Sequence, residues 1–288
     1  MLRRLLLDTH KVWPEPALRW ALKRALKGLN VALCLHRVSY PDVGPKLNDS
    51  NIDGAELDRL LDMLAEGIEQ DESASVVVTF DDGYADAIDY VRKRYARFPR
   101  LEWLLFLRPE KTRDRAGFRW DLEPGSKDSH PASGAYDIVG ENQRAELRAL
   151  GDDPRYRLAT IEDCKDVARL PKVRLGNHTN CHFTLVGLDP KAAQDEIRRS
   201  ASEFEQLFGA TEQFAFPFGS YVPEHVGFAR SAGYSEIWAI EARPFRSSER
   251  SQGGALPRFP VFGHWPASRI ALFIASACLQ YKARALLP

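Results

Sequence analysis

The chain has 288 residues, with 40 Lys and Arg against 40 Asp and Glu; 44% are hydrophobic and 28% charged. This composition excludes a disordered chain, a collagen-like fibre and a disulfide-stapled miniprotein. Its zero formal net charge argues against a nucleic-acid binder. The length suits one large α/β domain or two smaller ones.

Residues 1–27 hold seven bases (Arg3, Arg4, Lys11, Arg19, Lys23, Arg24, Lys27) against Asp8 and Glu15. Leu18, Trp20, Leu22 and Leu26 alternate with those bases. The segment reads as a basic helical extension over residues 1–30. It either packs on the domain with a solvated basic face or lies on a membrane surface. The three-leucine run after Arg4 does not make a signal peptide, so a cytoplasmic location is expected, with peripheral contact at the inner membrane surface through residues 1–27. No stretch reaches the roughly 18 apolar residues of a membrane span.

From residue 31 strand and helix patterns alternate. Val31 to Leu35 is a short apolar strand. Asp53 to Gly67 is a helix: Asp53 and Glu56 make a capping-box pattern, and Leu57, Leu60, Leu61 and Leu64 form one face. Ser75 to Phe80 has the profile of a strand buried on both faces. A helix over 84–95 and a strand over 103–107 follow. Residues 109–139 are rich in charge, Gly, Pro and Ser and read as a long rim loop, a candidate lid. Helices are expected near 140–150 and 161–168, and a strand at 173–175. Asp189 to Phe208 is a helix capped by Asp189, with Pro190 in its first turn and Gly209 at its end. Strands near 213–216, 235–240 and 257–262 and helices at 222–232 and 267–284 complete the chain. Seven strands separated by helices mean a parallel α/β barrel or doubly wound sheet, with ligands at the C-terminal strand ends.

Three strand ends carry polar or aromatic clusters. Thr79-Phe80-Asp81-Asp82-Gly83 places two carboxylates side by side, which is costly without a neutralising cation. Consecutive side chains diverge, so one can bind a metal while the other faces a reacting water. The other reading is an acidic turn capping the next helix. His178 and His182, in Gly176-Asn177-His178-Thr179-Asn180-Cys181-His182, share one side of a helical turn. With one carboxylate they would form the three-ligand set of catalytic zinc, though a pair of surface histidines would look alike. Phe214-Ala215-Phe216-Pro217-Phe218-Gly219-Ser220-Tyr221 either walls a sugar-sized pocket or packs a strand end. Cys34, Cys164, Cys181 and Cys278 lie far apart and read as unpaired thiols.

In this order the three clusters, followed by Gly233-Tyr234, resemble the polysaccharide deacetylases of carbohydrate esterase family 4. The likeness runs over about residues 31–262 and takes in Leu35-His36-Arg37-Val38 and Leu256-Pro257-Arg258. It implies a distorted (β/α)7 barrel as a single domain over 31–288. It also implies a hydrolase that removes an N-acetyl group from an amino sugar, with the substrate a glycan, a lipid-linked glycan or a soluble sugar conjugate. By that resemblance Asp81 is the general base, and Asp82, His178 and His182 hold a divalent metal. Zinc is the first choice; cobalt, nickel or iron would also suit the donors. The resemblance likewise assigns Phe218 N–H to the oxyanion, and Tyr221 and Arg258 to the same wall of the site.

Two features depart from the commoner family pattern. The late segment LPRFPVFGHW fits the usual acid-bearing motif poorly, so the general acid is expected at His36, with His264 in reserve. Ala215 stands where many members have an arginine that pairs with the base, and Arg258 is the candidate replacement. Two alternatives to deacetylation remain open at this stage: a deformylase or cyclic-imide hydrolase on the same metal centre, and an inactive glycan-binding relative.

Overall fold

The computed structural model describes residues 13–39, 51–114, 149 and 157–285. Among these residues the strands are β1 (Asn30–Leu35), β2 (Arg37–Ser39), β3 (Asn51–Asp53), β4 (Ser75–Phe80), β5 (Glu102–Leu107), β6 (Val173–Asn177), β7 (Gln213–Ala215), β8 (Glu236–Ile240) and β9 (Ala255–Pro260). The α-helices are α1 (Glu15–Leu26), α2 (Gly54–Ile68), α3 (Ala85–Arg94), α4 (Pro109–Asp114), α5 (Ile161–Ala168), α6 (Pro190–Phe208), α7 (Pro223–Ser231), α8 (Ser247–Gln252) and α9 (Ala267–Arg284).

Strands β1-β4-β5-β6-β7-β8-β9 close into a barrel, and every neighbouring pair is parallel. This is the seven-stranded α/β barrel that the family resemblance implied, one of the two architectures open to the alternation of elements. The β2–β3 pair forms a separate parallel ribbon beside it, which the sequence reading did not anticipate. Three-residue strands are too short to establish a period of two. Proline and charge hid another element: the rim loop was expected to begin at 109, but Pro109–Asp114 is helical. Residues 115–139, and all but one residue of the helix expected near 140–150, lie outside the described residues.

Alternation along each strand sorts side chains between two layers. Val31, Leu33, Leu35, Val76, Val78 and Phe80 join the outer core beneath the helices. Ala32, Val77, Leu104, Phe106, Ala215, Trp238 and Leu256 fill the barrel interior. Continuing the same parity aims Cys34, Thr79, Asp81 and Arg258 inward. Fold and site are therefore set by one pattern.

The helices end where their capping residues require. Asp189 accepts hydrogen bonds from Lys191 N and Ala192 N, and Gly209 leaves α6 with φ 88°. Asp53 caps α2 through Ala55 N and Glu56 N, but Glu56 does not complete a box. Its carboxylate instead accepts from Ala267 N at 2.7 Å, tying the start of α9 to α2.

Helix α1 buries Leu18, Leu22, Ala25 and Leu26 in the outer core, where it packs on α2 and α9. Trp20 on its outer face is 63% exposed. Only a short turn separates Leu26 from the start of β1, so Lys23, Arg24 and Lys27 lie at the N-terminal end of the barrel. No described helix is long and apolar enough to cross a membrane. Because Leu22 is fully buried, Leu22→Ala should destabilise the whole domain by about 2–5 kcal/mol. Chemical denaturation read on a barrel tryptophan checks this; a detachable α1 would leave the transition in place.

Candidate active site

The C-terminal ends of β1, β4, β6 and β7 converge on a group of buried polar side chains. One coordinating atom each from Asp82, His178 and His182 lies within 4.8 Å of the others, and all three residues are buried. Nε2 of His182 faces Oδ1 of Asp82 at 3.5 Å, and the two imidazole rings are 4.9 Å apart. His178 Nδ1 is 2.9 Å from the carbonyl oxygen of Ala215. A carbonyl can only accept, so Nδ1 carries the proton and the neutral ring presents the Nε2 lone pair to the cluster. Burial pushes the His178 pKa down, outweighing the nearby Asp81 and Asp82 carboxylates, and keeps the ring neutral.

This donor set suits a divalent cation. Two neutral imidazoles and a carboxylate are the three protein ligands of many catalytic zinc sites, with a position left for water. Oδ1 of Asp82 is buried and has no hydrogen-bond donor among the described residues. Such an atom is costly in a folded protein unless a cation satisfies it.

Asp81 sits beside the cluster with a different partner. Arg258 donates from NH1 to Oδ1 at 2.6 Å and from NH2 to Oδ2 at 3.0 Å. The arginine reaches across from β9 to the carboxylate that follows β4, with Ala215 also lining the interior. It bonds Thr79 Oγ1 at 2.9 Å and lies over the Phe106 ring at 5.1 Å. Arg258 is fully buried, its guanidinium engaged by Asp81 and Thr79. Burial alone would raise the Asp81 pKa; the Arg258 guanidinium beside it more than reverses that and holds it at about 2.

His36 follows β1 and lies in a second cluster with Cys34 and Asp81, again within 4.8 Å. His264 is exposed on the turn after β9, its ring 6.1 Å from those of Phe262 and Trp265. Of these two, His36 is the histidine beside Asp81, whose Oδ2 also lies 3.7 Å from His178 Nε2. Cys34, read from sequence only as an indifferent thiol, has its Sγ 3.5 Å from Asp81 Oδ2. Burial pushes that thiol well above its ordinary pKa, so it stays protonated. Its parity with His36, one residue past the end of β1, was the available signal.

The third motif forms the turn Pro217–Gly219. Phe218 adopts φ 56° and sets its ring edge-on to His182, 4.5 Å between centroids. A Cβ on Gly219 would come within 2.3 Å of Ile240 N, so the motif requires glycine there. Tyr221 stacks on Phe216 at 5.0 Å and bonds Glu241 Oε1 at 3.2 Å, so its hydroxyl faces Glu241 rather than the ligand triad. Among the described residues five non-glycines have positive φ: Asp82, Lys172, Thr179, His182 and Phe218. Four of these belong to the centre. Such backbone costs energy and persists where surrounding contacts enforce it.

A family model described as polysaccharide deacetylase matches residues 158–237. The chain resembles the polysaccharide deacetylases. The match contains His178, His182 and Phe218; Asp81, Asp82, His36 and Arg258 lie outside it. Three solved structures share the fold. A polysaccharide deacetylase from Bacillus cereus has 13% identity and TM-score 0.57, covering 85% of this chain and 69% of that one. The Streptococcus pyogenes deacetylase PplD, in complex with acetate, has 13% identity and TM-score 0.55, covering 85% and 98%. IcaB from Ammonifex degensii has 18% identity and TM-score 0.52, covering 86% and 97%. No curated protein matches.

Breaking a buried ion pair strands its partner's charge, so Arg258→Ala should cost about 3–5 kcal/mol of stability. The Asp81 shift has a defined sign. Its folded pKa is depressed, so its stabilisation is complete above the ordinary carboxylate range and is lost as pH falls towards about 2. Metal-free parent protein should lose melting temperature over that window. Arg258→Ala should start lower and lose less.

Proposed function

We propose that this chain is a metal-dependent hydrolase that removes an acyl group, acetyl in the first instance, from the nitrogen of an amino sugar in a glycan. The observation that carries the reading is the pairing of two unlike carboxylates at one strand end. Asp82 faces the imidazoles of His178 and His182, while Asp81 is held ionised by Arg258.

A divalent cation bound by Asp82, His178 and His182 would supply Lewis acidity and an acidified water. Asp81, ionised at neutral pH, is placed to accept the proton of that water. A carboxylate with so low a pKa is a weak base and suits only a water already acidified. Arg258 keeps its two oxygens oriented. The backbone N–H of Phe218 is assigned to the developing oxyanion and His36 to protonation of the departing amine, which otherwise leaves poorly. The neutral Cys34 thiol adds no charge beside the base.

Zinc is the proposed metal. The test is amine release from N-acetylated hexosamine oligomers by zinc-loaded protein, alongside formylated and cyclic-imide substrates. Activity is expected on the acetylated oligomers, to be abolished by chelation and restored by metal. Asp81→Asn should lower kcat by about 100-fold or more, the scale of a lost general base, with metal content unchanged. Turnover confined to formylated substrates would move the assignment to deformylation. Stoichiometric metal without turnover on any substrate would favour a glycan-binding protein.

We also propose contact of the basic face of α1 with an anionic membrane surface, supported by exposed Lys23, Arg24 and Lys27 beside exposed Trp20. These bases lie at the end of the barrel opposite the catalytic groups. Contact there would turn the site away from the lipid, which suits an extended or soluble glycan better than a sugar next to its lipid anchor. Replacing the three bases by serine should reduce sedimentation with phosphatidylserine vesicles and leave phosphatidylcholine vesicles unaffected. Equal binding by both proteins would remove this contact. Deleting residues 1–27 would not test it cleanly, because Leu18 and Leu22 belong to the core.

A further inference from the structure

We propose that Glu196, on α6, is a positioning residue for the metal, locking the loop between the two histidine ligands before any cation binds. This rests on the metal-centre reading above. Glu196 is only 6% exposed. Its Oε1 accepts hydrogen bonds from two consecutive backbone amides, Asn180 N at 2.9 Å and Cys181 N at 2.8 Å. Those residues are the interior of the His178–His182 turn. One oxygen taking both amides fixes the orientation of the peptide units that join the ligands.

Other contacts close the same loop. Asn177 Oδ1 accepts from Thr179 N at 2.8 Å, and Thr179 Oγ1 from His182 N at 3.2 Å. Arg108 donates from NH2 to the Asn180 carbonyl oxygen at 3.0 Å. Thr179 and His182 have φ 62° and 53°, a left-handed conformation that neither residue favours. In a free loop both would relax, and the imidazoles would leave the geometry that brings Nε2 of His182 opposite Asp82. Glu196 connects this strained turn to the long, well-capped α6. Arg199, one turn along on the surface, donates to its other oxygen at 2.9 Å and also reaches Cys181 Sγ at 3.0 Å. The buried carboxylate is thereby balanced without the metal. α6 therefore acts as the rigid backing of the ligand turn.

The experiment measures zinc affinity by competition with a chromophoric chelator, and the visible absorption of the cobalt-substituted protein, for parent, Glu196→Ala and Glu196→Gln. Glu196→Ala should weaken zinc binding by about 10–100-fold, the usual scale for residues that orient metal ligands. Its cobalt spectrum should broaden, and kcat should recover at saturating metal. Glu196→Gln keeps an acceptor oxygen and should stay within about threefold of parent affinity, since the hydrogen bonds and not the charge hold the turn. If Glu196→Ala does not fold, Glu196→Asp decides, because its shorter side chain draws the acceptor back from the amides; about tenfold weaker binding is expected on the same scale. Parent-like affinity and cobalt spectrum in folded Glu196→Ala or Glu196→Asp would overturn the inference. A parent that binds no divalent cation would instead overturn the metal-centre reading, and this one with it.

Discussion

The ion pair between Asp81 and Arg258 is the interaction on which the catalytic end of the barrel depends. A lone carboxylate in that interior would be driven to its neutral form by desolvation. The guanidinium prevents this with two hydrogen bonds, and the pair lies almost entirely out of water. Everything near it is arranged to keep it so. Thr79 fills the remaining reach of NH1, and its hydroxyl donates a hydrogen bond to the Leu33 carbonyl. Phe106 supplies a ring beneath the guanidinium, and the Cys34 thiol closes the side of Oδ2 without introducing a charge.

With Asp81 satisfied by Arg258, its neighbour Asp82 is left to other partners. The turn at Asp82, with φ 72°, aims its carboxylate towards the two histidines. Adjacent acidic residues thus acquire separate chemistry: one carboxylate answers to a fixed protein cation, the other to a pair of imidazoles. Placing both in one environment would force their pKa values apart by repulsion. Placing them in two relieves that repulsion.

The barrel also separates tasks along its axis. The strained backbone and the buried charges gather where strands end, whereas the exposed bases of α1 gather where strands begin. Closure removes any free sheet edge, so the strand ends provide a stiff rim on which improbable torsions can be held. The long helix α6 extends that stiffness to the histidine turn.

Much of this was legible in the amino-acid sequence. Runs such as Val76 to Phe80, the capped helix after Asp189 and the steady alternation of strand and helix determined parallel strands with helical crossovers, in a barrel or a doubly wound sheet, because period and capping are local properties. The paired aspartates and the spaced histidines were legible for the same reason. The ribbon of β2 and β3 was not, since three residues carry no period, and neither was the helix at Pro109–Asp114. The family resemblance had already pointed to Arg258 and His36, and the tertiary structure sets both beside Asp81; it alone decided that Cys34 and Glu196 belong to the site. Those relations join residues as many as 177 positions apart, and such a meeting depends on barrel closure and strand register, which no window of the chain contains.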